Sequence, residues 1–442
     1  MSLQPPAKVG KLQEALHAKA KGSPTYRFDL LYDKLYREDV LAYAYACCRA
    51  HGGAPGVDGQ TFEDIEAYGV QRWLGELTKE LRGKAYRPQP VRRVWIPKAD
   101  GTRRPLGVPT IRDRVVQTAA LVVLEPIFEA DLPPEQHAYR PGRSALDAVQ
   151  AVQEHLDRGY TDVVDADLSG YFDSIPHAEL MKSVARRVSD RDLLHLIKGW
   201  LEAPVEEIDE HGERQRTTRN KDQGRGTPQG GVASPLLANL YMRRFVLGWE
   251  ALGHRRRLEA RIVNYADDFV ICSRGHADEA MAAMRAMMTK LKLTVNDQKT
   301  RRCRLPDEAF TFLGYTFGRC YSRRTGRAYV SPRPSPKKIR SVCAELSDLT
   351  DRRTVARSTE EEVTRINRTL HGWSNYFCLG PVVHAYEVVT KHARRRLRQW
   401  LCAKHRVRKG GYTRFPNEYL HQRLGLVDLT TKRSHRSLWA NA

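Results

Sequence analysis

Two short acidic clusters, each set at the end of an apolar stretch, restrict this chain more than anything else in it. In Arg261-Ile262-Val263-Asn264-Tyr265-Ala266-Asp267-Asp268-Phe269-Val270-Ile271-Cys272, paired aspartates separate an apolar run ending at Tyr265 from a second run beginning at Phe269. That pattern predicts a β-hairpin with Asp267 and Asp268 at its tight turn. Adjacent carboxylates repel each other, and a hydrophobic hairpin keeps them at a cost unless a cation shares the site. Hard oxygen donors of this kind suit Mg²⁺. Taken alone, the stretch also reads as a solvated Asp-Asp turn.

A second cluster sharpens the choice. Thr161-Asp162-Val163-Val164-Asp165-Ala166-Asp167-Leu168-Ser169-Gly170-Tyr171-Phe172-Asp173 begins as an alternating, β-branched strand and ends in acids. Nucleotidyl transfer with two metals needs carboxylates from two places, so that ions about 3.5–4 Å apart grip both the attacking and the leaving oxygen. One aspartate from each of two adjacent strands meets that need. Alternation from Val163 puts Asp165 and Asp167 on one face, so spacing does not choose between them, and Asp173 competes as well. The two stretches resemble motifs A and C of reverse transcriptases, and Tyr-Ala-Asp-Asp is similar to the variant seen in group II intron-encoded proteins. That resemblance implies Asp167, Asp267 and Asp268 as catalytic metal ligands, the Leu168 carbonyl as a further oxygen donor, and Asp173 as a supporting carboxylate. It also implies that Phe172 blocks a ribose 2′-hydroxyl, the group by which RNA differs from DNA.

Charge supports a polyanionic partner independently. Lys and Arg number 74 against 52 Asp and Glu, a net +22 over 442 residues. From Lys391 to Ala442 there are fourteen Lys and Arg but only Glu418 and Asp428 as acids. Trp400, Tyr412, Phe415 and Tyr419 interleave them and suit either base stacking or a core. No apolar run approaches the ~20 residues of a membrane span, and the first residues lack the apolar core of a secretory signal. The expectation is a cytoplasmic, nucleoid-associated protein with no membrane partner. Eight cysteines in no zinc-binding spacing are expected to be idle thiols.

Along the chain, residues 1–25 read as a basic arm, 26–50 as one or two amphipathic helices, and 51–61 as a glycine-rich loop. Two short helices follow over 62–81, then two strands around a turn over 86–106, and a buried helix over 115–128. Ser144 is placed to cap a helix over 145–157. A helix over 190–201 precedes a polar excursion, 206–223, that turns at His211-Gly212. Gly224 to Pro235 opens a helix over 236–252. This loop fits neither a Rossmann nor a P-loop pattern, since Gln229 stands where a Rossmann glycine would be and no Gly-Lys-Ser/Thr follows. A helix over 277–291 carries a methionine stripe read as core, and 310–317 reads as one strand. Ser331-Pro332-Arg333-Pro334-Ser335-Pro336 can continue neither strand nor helix and marks a domain boundary. Beyond it, helices over 337–349, 360–377 (capped by Ser358 with Glu361) and 382–402 predict an antiparallel bundle.

The remaining motifs fall in the order of the same family. Pro228-Gln229-Gly230 resembles its motif B, Leu293 to Thr300 its motif D, Phe310 to Phe317 its primer grip, and Ile366 to Phe377 the thumb, or X domain, that grips intron RNA. The chain is thus identified as resembling a group II intron reverse transcriptase/maturase. The resemblance implies an α+β right-hand polymerase, with fingers and an RRM-like palm in 1–330, a three-helix thumb in 331–404 and a short basic DNA-binding tail in 405–442. Lys98, Arg104, Phe172, Gln229 and Lys299 would meet the nucleotide. Arg112, Arg143, Arg394, Arg395, Arg398, Lys404, Arg406 and Arg408 would meet RNA or DNA, and Arg114 is a weaker phosphate candidate. Two Mg²⁺ ions, dNTPs, an RNA template with a DNA primer, group II intron RNA and target DNA complete the expected set. Many relatives end in a Cys-paired HNH endonuclease that is absent here, so the resemblance is to the endonuclease-lacking, class C-like group, with second-strand cleavage expected to be absent. A splicing maturase with secondary polymerase activity, and a free-standing retron or phage-defence reverse transcriptase, are the alternative readings. Nothing in the sequence fixes the oligomeric state.

Overall fold

The computed structural model describes residues 3–97, 101, 103–208, 213–322 and 324–432. Lys98, the His211-Gly212 turn and everything from Arg433 onward lie outside the described residues. The chain opens with α1 (Ala7–Gly22), α2 (Glu38–His51), α3 (Phe62–Tyr68) and α4 (Val70–Arg82), followed by β1 (Val91–Pro97), β2 (Arg103–Val108) and α5 (Ile111–Glu129). Next come α6 (Ala145–Asp157), β3 (Asp162–Ala166), α7 (His177–Ala185), α8 (Arg191–Glu202), β4 (Val205–Ile208), β5 (Arg214–Thr217) and α9 (Ser234–Ala251). Then β6 (Ala260–Tyr265), β7 (Asp268–Ser273), α10 (Ala277–Lys290), β8 (Arg301–Arg304), β9 (Phe310–Phe312), β10 (Tyr315–Tyr321) and β11 (Ala328–Pro334) lead to α11 (Pro336–Leu349), α12 (Thr359–Tyr376) and α13 (Val383–Lys404).

The expected basic arm is a packed helix. Val9 and Ala20 of α1 are buried, and α1 lies on α5 at a defect that a proline creates. Pro126, inside α5, has no N–H to give the Val122 carbonyl. Gln13 Nε2 of α1 donates to that carbonyl instead (3.3 Å), and His17 Nδ1 meets the Pro126 carbonyl (3.0 Å). Arg187, fully buried, ties down the far end by donating to the Ala20 and Ser23 carbonyls. α5 itself starts four residues earlier than its apolar run suggests, because Thr110 caps it through the Asp113 N–H.

The central sheet has the order β6-β7-β3-β8, and its three pairings are antiparallel. With helices α7 to α9 between β3 and β6, and α10 between β7 and β8, this is the ferredoxin-like split βαβ arrangement. One face, with Val164, Ala166, Ile262, Phe269 and Ile271, joins the large N-terminal core, where Phe245 of α9 lies 5.2 Å from Phe269. The other face, with Val163, Val263, Val270, Cys272 and Cys303, packs on α6, β9 and β10. Burial on both faces explains why these strands read as near-continuous apolar runs. It also leaves only the strand ends for chemistry. A second sheet, β2-β1-β4-β5, joins the hairpin that precedes β3 to a hairpin inserted between β3 and β6.

Three expectations fail beyond β8. Phe310 to Phe317 is not one strand, because Leu313 and Gly314 adopt positive φ (50° and 82°) and turn β9 back along β10. The Pro-rich segment does continue a strand: Pro332 and Pro334 sit in β11, at the edge of the sheet β11-β10-β9, where a missing N–H costs nothing. Between Phe415 and Leu429 the segment read as a basic DNA-binding tail packs onto the bundle. Phe415, Leu420, Leu426 and Leu429 are buried against Val389, Ala393, Leu397 and Leu401 of α13 and join the core of the three-helix unit. Ser358 caps α12 through the Glu361 N–H as expected. Tyr315 joins the two regions, its hydroxyl accepting from Cys378 N (3.1 Å) and donating to the Tyr376 carbonyl (2.5 Å). Among the described residues all cysteines are free, and no helix is long and apolar enough to cross a membrane.

Leu420 is fully buried, so Leu420→Ala should cost about 2–5 kcal/mol in denaturant unfolding. A loss under about 0.5 kcal/mol, the level of a surface substitution, would mean that the segment merely lies on the bundle.

Candidate active site

The hairpin expected at the paired aspartates forms, with its turn one residue earlier. Tyr265 pairs with Asp268, so the two-residue loop is Ala266-Asp267, and Asp268 opens β7. Ala266 takes a left-handed φ of 58°, as such short hairpins require. Asn264, fully buried, braces the turn by donating to the Ala266 carbonyl (2.8 Å). On the neighbouring strand Ala166 pairs with Phe269, and this register carries the next residue, Asp167, to the mouth of the turn. Leu168 is buried and bridges across to Val295.

Three aspartates thus share one mouth. Asp167 Oδ2 accepts from Asn296 Nδ2 (3.1 Å) and pairs with Lys299 Nζ (3.0 Å). The Lys299 ammonium is raised above its usual range by that contact with Asp167. Burial raises the Asp268 carboxyl to about 6, with the charges of Asp267 and Asp167 adding to it. Burial raises Asp267 too, and Asp167 contributes. Asp165, on the same face, is pushed up to about 7 by burial, against the pull of Arg301 at 3.7 Å. Among the described residues no group of three or more His, Cys, Asp or Glu side chains is placed to hold a metal ion as the structure stands. The arrangement is an array of oxygen donors under mutual repulsion, with one ammonium ion already drawn to it. Such an array fits a hard divalent cation.

Beside the mouth, residues from three elements form a hydrogen-bonded chain. Arg104 Nε of β2 donates to Gln229 Oε1 (3.1 Å), and Gln229 Nε2 donates to Asp173 Oδ2 (2.9 Å). The loop carrying Gln229 is fixed from both sides. Gly107 N of β2 donates to the Gln229 carbonyl (2.5 Å), and Thr227 N donates to the Phe172 carbonyl (2.7 Å). Gly230 is required here: its φ is 105°, and a Cβ would stand 2.5 Å from the Gly107 carbonyl. Phe172 is 8% exposed beneath this loop. Burial raises the Asp173 carboxyl, while Arg93, Gln229, Arg219 and Arg104 lower it.

Several basic residues expected on nucleic acid are committed to the fold. Arg112 pairs with Glu80, and Arg143 Nη1 donates to the Pro134 carbonyl (2.7 Å). Arg114 holds the glycine-rich loop through the Pro109 and Ala54 carbonyls. Arg394 pairs with Asp428 (2.5 Å) and His421. Arg398 is buried, donates to the Phe415 carbonyl (2.8 Å) and has no surface to offer a phosphate. Lys404 caps the Val355 and Arg357 carbonyls (2.9 and 2.6 Å). Arg395, Arg406 and Arg408 are exposed. Trp400 and Phe415 are core, whereas Tyr412 is 70% exposed with the Arg398 guanidinium 3.9 Å from its ring centre. The sequence reading missed Asn296 and Tyr376. Burial lifts the Tyr376 hydroxyl to about 12, with Tyr265 and Asp268 contributing, which puts the C-terminal end of α12 beside the acidic mouth. The only available signal for Asn296 was its place three residues before Lys299.

The family model "Reverse transcriptase (RNA-dependent DNA polymerase)" matches residues 96–317, and "Group II intron, maturase-specific domain" matches residues 339–417. Protein YkfC of Escherichia coli (strain K12) is 34% identical over 378 residues, covering 77% of this chain and 96% of that protein. The group II intron-encoded protein LtrA of Lactococcus lactis subsp. cremoris is 32% identical over 224 residues, 50% of this chain but only 35% of its own length. An uncharacterized 91 kDa protein in the cob intron of Schizosaccharomyces pombe is 30% identical over 53% of this chain and 28% of its own.

The raised Asp268 carboxyl has a consequence for stability. The folded protein holds this proton more tightly than the unfolded chain does, so stability is lost as pH rises from 3.8 through about 6. In chelator at pH 7.5, Asp268→Asn should therefore raise stability by about 1 kcal/mol or less, because the residue is exposed and solvent screens the repulsion, and the gain should shrink as pH falls below 6. Mg²⁺ should then stabilise the unsubstituted protein more than the variant. A variant no more stable at pH 7.5 would mean that the mouth imposes no electrostatic cost.

Proposed function

On the premise that this chain belongs to the reverse transcriptases, the RNA-directed DNA polymerases, and among them to the group II intron reverse transcriptase/maturases, we propose that its acidic mouth adds dNTPs to a primer 3′-hydroxyl on an RNA template. The convergence of Asp167 with Asp267 and Asp268 carries this reading. The central sheet then serves as palm, the β2-β1-β4-β5 sheet with its helices as fingers, and residues from 331 through at least 432 as a thumb that includes the former tail. Two Mg²⁺ ions held by Asp167, the Leu168 carbonyl, Asp267 and Asp268 would supply the charge that activates the hydroxyl and stabilises the departing pyrophosphate.

The chain's own side chains handle binding and selection. The Arg104 guanidinium offers a planar fork to phosphate oxygens, and its bond to Gln229 sets its direction. Asp173 holds Gln229 in turn, so nucleotide contacts from β2 and the 224–235 loop are positioned together. Lys98 is proposed as a second phosphate contact. Phe172 closes the space a 2′-hydroxyl would need. Lys299 exchanges its bond with Asp167 for phosphate as the nucleotide arrives.

The match to the maturase-specific domain supports a second role that requires no aspartate, namely binding intron RNA to promote splicing. Exposed Arg395, Arg406 and Arg408 are its candidate phosphate contacts, and retrohoming into target DNA would combine both roles. A cytoplasmic, nucleoid-associated setting belongs to the same proposal.

Asp267→Asn should lower primer extension by about 10²–10³-fold or more, with affinity for intron RNA retained. Normal extension by that variant would remove the hairpin from the chemistry. Phe172→Ala should reduce discrimination against ribonucleotides by on the order of 10²-fold, read as the ratio of kcat/KM for dNTP and rNTP. An unchanged ratio would put the gate elsewhere.

A further inference from the structure

Behind the loop that carries Gln229, one turn of α5 presents two buried polar side chains, Asp113 and Gln117, four residues apart and so on one helix face. Asp113 holds the approach to β1: its Oδ2 accepts from Gln89 N (3.2 Å), and its Oδ1 accepts from the Tyr86 hydroxyl. Gln117 holds the other side. Its Oε1 accepts from Ala233 N (3.1 Å), across 116 residues of chain. Ala233 is the residue that precedes α9, and it is buried along with Gln117. The base of the β1–β2 hairpin and the end of the Gln229 loop therefore hang from a single face of one helix.

What Gln117 does there follows from how the loop is built. Ser234 Oγ donates to the Pro228 carbonyl (2.8 Å), and Gly231 N donates to the same carbonyl (3.0 Å), so residues 228–234 form a closed turn that moves as a unit. Gly231 fits beside Gln117 because it lacks a side chain: a Cβ would lie 2.7 Å from Ser234 Oγ and 3.7 Å from Gln117 Oε1. A cavity of about 20 Å³, the room of one water, is lined by Pro228, Gly231 and Ala233 of the turn together with Asp113, Gln117 and Trp200. Apolar packing leaves the turn room to move on this side, and hydrogen bonds set its position. The Gly107 bond ties its middle to β2, the Thr227 bond ties its start to Phe172, and the Gln117 bond ties its end to α5. Of these three ties the last is made by a side chain, so a substitution can remove it without altering the backbone.

We propose that Gln117 is a positioning residue for nucleotide binding, holding the 228–234 turn where Gln229 meets the incoming dNTP. The inference rests on the polymerase reading above and deepens it by naming what fixes the Gln229 contact from behind. Gln117 is buried behind the turn and acts through the Ala233 N–H. Without its oxygen that N–H is left buried with no acceptor, and the turn shifts to relieve it. Gln229 then loses its alignment with Arg104 and Asp173. The loss falls on dNTP affinity, because the aspartates stay where the β3–β7 register puts them.

The test uses the full-length protein and two measurements. One is dNTP affinity on a complex with an RNA template whose DNA primer ends in a dideoxynucleotide, and the other is the extension rate at saturating dNTP on an extendable primer. Gln117→Leu keeps the bulk and removes the acceptor. It should weaken dNTP affinity by about 10-fold, with the saturated extension rate nearly unchanged. Gln117→Glu, which keeps an oxygen for the Ala233 N–H, should recover most of that loss. In a Gln229→Ala background the leucine should add little, because the side chain through which the turn acts is gone. Unchanged affinity in Gln117→Leu, an equal loss in Gln117→Glu, or the same fold loss with and without Gln229 would overturn the proposal and leave Gln117 as packing. If the leucine variant does not fold, Gln117→Met, whose unbranched chain follows the same path, takes its place and the same outcomes decide. An unsubstituted protein that binds dNTP but extends no primer would overturn the polymerase reading, with the affinities still deciding this one. If it binds no dNTP on the complex, both fall.

Discussion

Like-charge repulsion at the strand ends is the constraint that the rest of this structure answers to. Asp167, Asp267 and Asp268 are brought together by strand register, a geometry with no tolerance for slippage, since a shift of one residue would turn Asp167 to the other face. Burial raises the Asp267 and Asp268 carboxyls and makes their proximity costly. The sheet that holds them is packed on both faces, by the large N-terminal core and by the α6, β9 and β10 cluster. Apolar burial of that extent fixes the backbone firmly enough to keep the carboxylates where they repel. Site and core are linked in this sense: the core supplies the energy that the site spends.

Hydrogen bonds then connect parts of the chain that are far apart in sequence. Arg104, Gln229 and Asp173 come from three elements and form one chain of contacts, and the Gly107–Gln229 backbone bond makes the loop an extension of β2. Any motion of the β1–β2 hairpin therefore reaches Gln229 directly. Tyr315 has a comparable place at the other end, where its hydroxyl meets the backbone of Tyr376 and Cys378 and joins the C-terminal unit to the third sheet. Gly380 next to this joint has a φ of 73°, and a Cβ there would lie 1.9 Å from the Pro332 carbonyl. The C-terminal unit is seated on the edge strand itself.

The surplus positive charge divides into two populations. Arg140, Arg187, Arg394, Arg398 and Lys404 turn inward and satisfy carbonyls or carboxylates, acting as braces for loops and helix ends. Arg395, Arg406 and Arg408 face solvent. A net charge of +22 states how strongly the protein is drawn to a polyanion. It does not state which side chains make contact, because a guanidinium with five donors serves backbone carbonyls as readily as phosphates.

The sequence by itself determined the elements whose signal is local. The hairpin around Asp267 was legible because two apolar runs flank two polar residues, the Ser144 cap because a small hydroxyl precedes a helical pattern, and the methionine face of α10 because its spacing is helical. The family motifs imply that Asp167 meets that hairpin, and β3 and β7 are neighbouring strands in the structure. The tertiary structure alone decided the rest. The Leu313-Gly314 reversal depends on positive φ that no apolar pattern announces, and β11 holds its prolines only because it is an edge strand. Asp165 and Asp167 look alike in sequence and differ because Arg301 lies beside one while Asn296 and Lys299 lie beside the other. The segment from His405 onward reads in sequence as a basic DNA-binding tail because its Lys and Arg far outnumber its acids. Phe415, Leu420, Leu426 and Leu429 nonetheless fold it onto α13, since burial depends on the surface that faces each side chain, and a sequence does not list its neighbours in space.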